Sequence, residues 1–217
     1  MFAYSKPVPA TSPSPSVVVP DYGCGNLASI RRMCERIGHA CAIVRDPEQL
    51  AGAPRVILPG VGAFDHGMTQ LRERGFIEPL TERMRAGVPV LGVCLGMQLL
   101  CRRSEEGVLP GLGWIAADVR RFQIDPSSGL KVPHMAWSEL AIERDNPLLP
   151  LGSGLQRFYF VHSYHVVCDD PSDAIATAEY GYRFVAGFAR GNVYGLQFHP
   201  EKSHRFGMAA LTRFLEL

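Results

Sequence analysis

The chain lacks any apolar run long enough to cross a bilayer. The longest of its 217 residues' apolar stretches, Val88 to Cys101, falls short of the roughly 20 residues that a spanning helix needs. It also lacks a basic segment leading into an apolar core, the mark of an export signal. Charge of one sign is missing as well. Lys and Arg total 22, Asp and Glu total 21, and the formal net charge is +1. That balance argues against the broad electrostatic footprint of a nucleic-acid binder. The pairs Arg31-Arg32, Arg102-Arg103 and Arg120-Arg121 then read as solvated faces. The six cysteines, Cys24, Cys34, Cys41, Cys94, Cys101 and Cys168, never form C-x-x-C. A reduced, cytoplasmic chain without structural disulfides is expected.

What is present is alternation. Residues 1–15 carry Pro7, Pro9, Pro13 and Pro15 among serines and alanines and are expected to be a disordered tail. Residues 16–217 are expected to form one domain. Val17-Val18-Val19, Ala40 to Val44, Val56-Ile57-Leu58 and Val88 to Val93 read as apolar strands. Helical spacing falls between them over Asn26 to Ile37, with Gly38 past its end, and near Asp65 to Arg74 and Ile77 to Ala86. Alternating β and α with all-apolar strands predicts an α/β fold, its parallel sheet covered on both faces. The second half is richer in strands: Trp114 to Phe122, Arg157 to Val161, His165 to Val167, Ala174 to Glu179, Val185 to Ala189 and Asn192 to Gln197. A helix over Phe206 to Leu217 closes the chain.

The most informative segment is Gly92-Val93-Cys94-Leu95-Gly96-Met97-Gln98. It places a thiol at a sharp strand-to-helix turn, the cysteine counterpart of the nucleophile elbow G-x-S-x-G. Glycines flank the thiol because side chains there would collide with the helix or the neighbouring strand. A thiol beside the first N–H groups of a helix is favoured as thiolate. Taken alone, the segment fits a packed structural cysteine equally well.

A second motif, Gln197-Phe198-His199-Pro200-Glu201, follows the apolar strand Val193-Tyr194-Gly195-Leu196. On an extended segment, His199 and Glu201 share one side, and Pro200 stiffens the pair. His199 can take the thiol proton and return it to a leaving amine, while Glu201 holds the ring. Cys94, His199 and Glu201 thus make a nucleophile, a base and an orienting group. An oxyanion needs donors: the Leu95 N–H is one, and Val61, between Gly60 and Gly62, supplies a second if its peptide flips.

P-G-V-G at 59–62, G-V-C-L-G-M-Q at 92–98 and Q-F-H-P-E at 197–201, in this order, resemble the class I glutamine amidotransferases. The strings D-Y-G-C-G-N-L from Asp21, R-S-E-E-G from Arg103, P-H-M-A-W from Pro133 and Y-F-V-H-S-Y from Tyr159 narrow the resemblance. They are similar to the glutaminase subunits of imidazole glycerol phosphate synthases, over residues 16–217. The resemblance implies a flavodoxin-like three-layer fold with a mostly parallel central sheet. It implies a γ-glutamyl thioester on Cys94, glutamate and ammonia as products, and no cofactor. Gly60, Gly62, Gln98, Glu106, His162, Ser163 and Tyr164 are then expected at the glutamine pocket, beside the oxyanion donors Val61 and Leu95. A HisF-type (β/α)₈-barrel synthase subunit is the implied partner in a heterodimer, and it receives the ammonia for a step of histidine biosynthesis. The implied interface takes in the loop Tyr22 to Asn26 with Met135, Trp137 and Tyr159. The implied glutaminase is nearly silent until its partner binds.

The chain departs from the family pattern at Ala136, at Pro20, and in the segment Lys202-Ser203-His204-Arg205-Phe206-Gly207-Met208. The His-Arg-Phe-Gly-Met form of that segment, with His-Ser-Tyr-His at 162–165, resembles paralogues that supply ammonia to a sugar amidotransferase in surface-polysaccharide synthesis, so the acceptor stays open. Two other kinds of site fit the residues less well. Gly23-Cys24-Gly25-Asn26-Leu27-Ala28 with Asp46 fits a dinucleotide fingerprint, but Asp21 would set negative charge against a pyrophosphate. His162, His165 and Cys168 have metal-like spacing, but i, i+3 histidines on a strand do not converge, and no metal is expected.

Overall fold

A computed structural model describes residues 15–152 and 154–217; the predicted tail lies almost wholly outside these residues. The first half alternates as expected. Strand β1 (Val17–Pro20) leads to helix α1 (Leu27–Arg36), β2 (Cys41–Val44) and β3 (Val56–Gly60). Helices α2 (Phe64–Glu73) and α3 (Ile77–Arg85) then precede β4 (Val90–Cys94) and the short α4 (Leu95–Leu99). Asn26 caps α1, its side chain accepting from the Ser29 N–H, and Gly38 follows the helix at φ +88°. The second half runs β5 (Arg103–Ser104), β6 (Ala117–Arg121), β7 (His134–Glu139), β8 (Ala141–Ile142) and β9 (Arg157–His162). It continues with β10 (Tyr164–Cys168), β11 (Ala174–Tyr180), β12 (Tyr182–Arg190) and β13 (Val193–Leu196), and ends in α5 (His204–Leu215).

Eleven of these strands form one sheet in the order β2-β1-β3-β4-β13-β12-β10-β6-β5, with β11 and β8 branching from β12. The half from β2 to β13 is parallel. The joins from β13 through β12 and β10 to β6 are antiparallel. Both faces of the parallel half are buried. Val17, Val19, Ile57, Leu91 and Val93 face α1 and α5, while Val18, Val56, Leu58 and Val90 face α2, α3 and α4. That two-sided burial is why these strands read as unbroken apolar runs. Among the described residues no helix is long and apolar enough to cross a membrane.

Three local expectations change. The strand expected from Trp114 starts at Ala117, because residues 111–115 instead fold back to donate N–H groups to the Leu99, Leu100, Cys101 and Arg102 carbonyls. Arg102 and Arg103 are exposed but ion-paired, Arg102 with Asp118 and Asp169 and Arg103 with Asp118. The string P-H-M-A-W lies on β7 from its second residue, His134, onward, and the sequence did not reveal this strand. It pairs antiparallel with β9 as a separate ribbon.

Inside that ribbon His134 lies directly across from His162. The Tyr164 carbonyl accepts from His162 Nδ1 at 2.7 Å. A carbonyl cannot donate, so the His162 proton sits on Nδ1 and its Nε2 accepts from His134 Nδ1 at 3.1 Å. His134 Nε2 then accepts from the Ser138 hydroxyl at 2.9 Å. Burial pushes the pKa of His134 down to about 4 and that of His162 to about 3. An unfolded chain takes up these protons near pH 6.5, and the folded chain refuses them. Their contribution is therefore complete above pH 6.5 and is lost as pH falls toward 4, at about 1.4 kcal/mol per pH unit for each histidine. Urea unfolding between pH 7 and 4.5 should show this acid limb, and His134→Gln should flatten it. An identical slope in wild type and variant would remove the histidine pair as its cause.

Candidate active site

Strand β4 ends on Cys94, whose backbone sits at φ 55° and ψ −112°. Few non-glycine residues occupy this region, and holding one there costs about 1–3 kcal/mol. The surroundings enforce it by close backbone approach. A Cβ on Gly92 would lie 2.7 Å from Gly96 O, and one on Gly96 would overlap the Leu58 carbonyl. The glycines therefore serve contact between β3, β4 and α4. The expected helix starts at Leu95, directly after the thiol, and lasts five residues.

His199 lies just past β13, next to β4 in the sheet. Its Nδ1 hydrogen-bonds Glu201 Oε1 at 2.8 Å, with both side chains almost wholly buried. The expected pairing holds, but its cause differs. Pro200 opens a 3₁₀ turn, Pro200–Lys202, and this turn, rather than strand alternation, folds Glu201 back under the ring. Ser203 pins the turn, donating to the His199 carbonyl at 2.6 Å and accepting from the Tyr159 N–H at 3.0 Å. Burial by itself lowers the His199 pKa. The Cys94 sulfur and the Glu201 carboxylate outweigh it and raise the pKa to about 9. The ring is thus predisposed to imidazolium beside sulfur. Its Nε2 makes no aligned hydrogen bond in this resting arrangement. Such bonds often tighten only around substrate.

A cavity of about 360 Å³ opens over the thiol. Its lining includes Val61, Gly62, Cys94, Leu95, Gln98, Glu106, His162, Ser163, Tyr164 and His199. Two further lining residues, Pro133 and Val161, were not anticipated. Gly60 does not line it. A Cβ there would meet Gly96 N and the Tyr22 hydroxyl, both at 2.8 Å, so this glycine admits the close approach of α4. Gly62 differs: it sits at φ +104° with open space around it, beside the half-exposed Val61. Glu106 reaches the cavity because Asp65, at the start of α2, accepts from the Val108 and Leu109 N–H groups. The Glu106 carboxylate accepts from the Phe64 N–H at 2.9 Å, and burial raises its pKa.

Met135 and Trp137 are exposed on β7, and Asn26 is exposed beside α1. Tyr159 is half-buried, with its ring 6.1 Å from that of Trp137. Tyr22 is instead wholly buried, donating to the Pro59 carbonyl at 2.6 Å. The fingerprint and metal-like residues serve local structure. Asp46 accepts from the Glu48 N–H, and His165 hydrogen-bonds the Tyr182 hydroxyl. Sequence reasoning missed Gln197 and Ser203. Gln197 lay inside a quoted motif, yet only the fold shows that its amide reaches the Cys94 sulfur.

Comparison with known proteins agrees with this geometry. The family model "Glutamine amidotransferase class-I" matches residues 18–216. Similar curated proteins include imidazole glycerol phosphate synthase subunit HisH 2 of Pseudomonas aeruginosa, 48% identical over 202 residues, covering 93% of this chain and 99% of that protein. Another is the subunit HisH of Bdellovibrio bacteriovorus, 44% identical over 208 residues, covering 93% of this chain and 100% of that protein. Among solved structures, a glutamine amidotransferase superposes with a TM-score of 0.69 at 22% identity, over 93% of this chain and 97% of that one. PurLQS from Thermotoga maritima gives 0.69 at 20% identity, over 92% and 97%. At such identities these two likenesses speak for the fold alone. The length of the family match, together with relatives at this identity along nearly the whole chain, shows that the protein belongs to the class I glutamine amidotransferase family.

Proposed function

We propose that this chain is the glutaminase subunit of an imidazole glycerol phosphate synthase, releasing ammonia from glutamine for a partner subunit. One observation carries the chemistry: Cys94, on a strained turn, faces a His199 that Glu201 holds at 2.8 Å, at the floor of a cavity. The Cys94 sulfur attacks the side-chain amide carbon of glutamine, and the Leu95 and Val61 N–H groups receive the oxyanion. His199 gives its proton to the departing amine. Ammonia leaves, and a γ-glutamyl thioester remains. His199 then takes a proton from water, which attacks the thioester and frees glutamate and the thiol. Glu106, Gln98, Gly62, His162, Ser163 and Tyr164 hold the amino-acid end of the substrate; Gly60 supports them from behind.

The names of the curated relatives favour the imidazole-forming acceptor over a sugar acceptor. Their designation as subunits supports a partner, which we take to be a HisF-type (β/α)₈ barrel. Met135 at 60% and Trp137 at 37% exposure give it an apolar seat near the cavity, with Asn26 and Tyr159 alongside. The six free cysteines fit a reducing cytoplasm.

In the complex, Cys94→Ser should abolish glutamine-dependent synthesis and spare synthesis from ammonium salts. Loss of both would speak against ammonia supply. His199→Ala should lower glutaminase kcat/KM by roughly 10²–10⁴-fold. The isolated chain should turn glutamine over weakly and accelerate when a barrel subunit is titrated in; full turnover alone would sink the gating. Acceptor identity follows from which product, an imidazole or an amidinated sugar, appears when glutamine is supplied.

A further inference from the structure

We infer that Gln197 is a fixed, uncharged donor to the Cys94 sulfur, aimed at it by Gln98, and that this pair favours the thiolate over the thiol. The inference rests on Cys94 being the nucleophile.

The sheet makes the contact. Strands β13 and β4 run parallel with Leu196 opposite Val93, so Cys94, the last residue of β4, and Gln197, directly past β13, come side by side. Gln197 is wholly buried. Its Nε2 lies 3.9 Å from Cys94 Sγ, and its Oε1 lies 3.0 Å from Gln98 Nε2. Gln98 Nε2 also lies 3.1 Å from the Tyr164 carbonyl.

The polarity of this chain follows from chemistry. A backbone carbonyl only accepts, so the Gln98 nitrogen, not its oxygen, must face Tyr164. The second hydrogen on that nitrogen needs an acceptor, and Gln197 Oε1 is there. The Gln197 amide is thereby oriented with its nitrogen toward sulfur. His162 donates to the same Tyr164 carbonyl and holds the far end.

The sulfur lies within reach of both an acceptor and a donor. As a thiol it donates to the Val161 carbonyl, 4.0 Å away. As a thiolate it would be repelled by that oxygen and would keep only the Gln197 donor. Several titratable groups also act here. His199 faces the sulfur, with Glu201 behind it. Tyr22 lies beneath, within electrostatic reach of Cys94. His162 and Glu106 line the cavity. Gln197, an amide, adds a contribution that does not titrate, and an N–H donor stabilises thiolate over thiol.

The test is the pH dependence of Cys94 carbamidomethylation by iodoacetamide in the full chain, read by peptide mass spectrometry beside glutaminase activity. The variants are Gln197→Met, which keeps length and removes the donor, and Gln98→Met, which frees the Gln197 amide to turn over. Each should raise the alkylation midpoint by about one pH unit, a tenfold loss of thiolate below it and about 1.4 kcal/mol. A midpoint unmoved in Gln197→Met, with thermal unfolding unchanged, would overturn the inference. If Gln197→Met does not fold, an unmoved midpoint in Gln98→Met overturns it alone. The underlying reading fails separately: wild-type glutaminase that survives complete Cys94 alkylation would remove Cys94 as nucleophile.

Discussion

The close approach of three backbones at the end of β4 is the constraint on which the site depends. Cys94 holds a positive φ because β3 and α4 leave its chain no other path. Gly60, Gly92 and Gly96 are the places where that approach becomes contact. A relaxed Cys94 would swing the thiol away from the cavity floor. The strain is therefore what aims the sulfur, and the parallel half of the sheet supplies the rigidity that maintains it.

Histidines in this protein show how one residue type serves opposite ends. His134 and His162 are buried against one another and against neutral acceptors, so burial dominates and both stay uncharged. His199 is also buried, yet a carboxylate and a sulfur flank it, and the same desolvation is overcome. What decides it is the pair of partners placed against the ring: Glu201, two residues on and folded under it by the 3₁₀ turn at Pro200, and Cys94, brought alongside by the β13–β4 pairing.

Much of the fold was legible. Apolar runs at Val17, Val56 and Val88 announced strands buried on both faces, and helical spacing with Asn26 and Gly38 bracketed α1 closely. The ribbon strand β7 was not legible. Its residues His134 to Glu139 mix buried and exposed polar groups, and its pairing with β9 is a long-range event. Gly60 was expected at the ligand because the string P-G-V-G resembles the family's pocket motif. Its true neighbours, Gly96 and Tyr22, are distant in sequence.

By itself, the sequence determined which residues have reactive chemistry and where they stand relative to turns. A thiol between glycines, a histidine and a carboxylate two residues apart, and an apolar βα alternation are local facts. Only the tertiary structure decided who faces whom: that Gln98 and Gln197 chain the Tyr164 carbonyl to the Cys94 sulfur, and that Asp65 brings Glu106 to the cavity. The reason is that hydrogen bonds and desolvation act over a few ångströms in space. Along the chain these hydrogen-bonded partners lie from 44 to 103 residues apart.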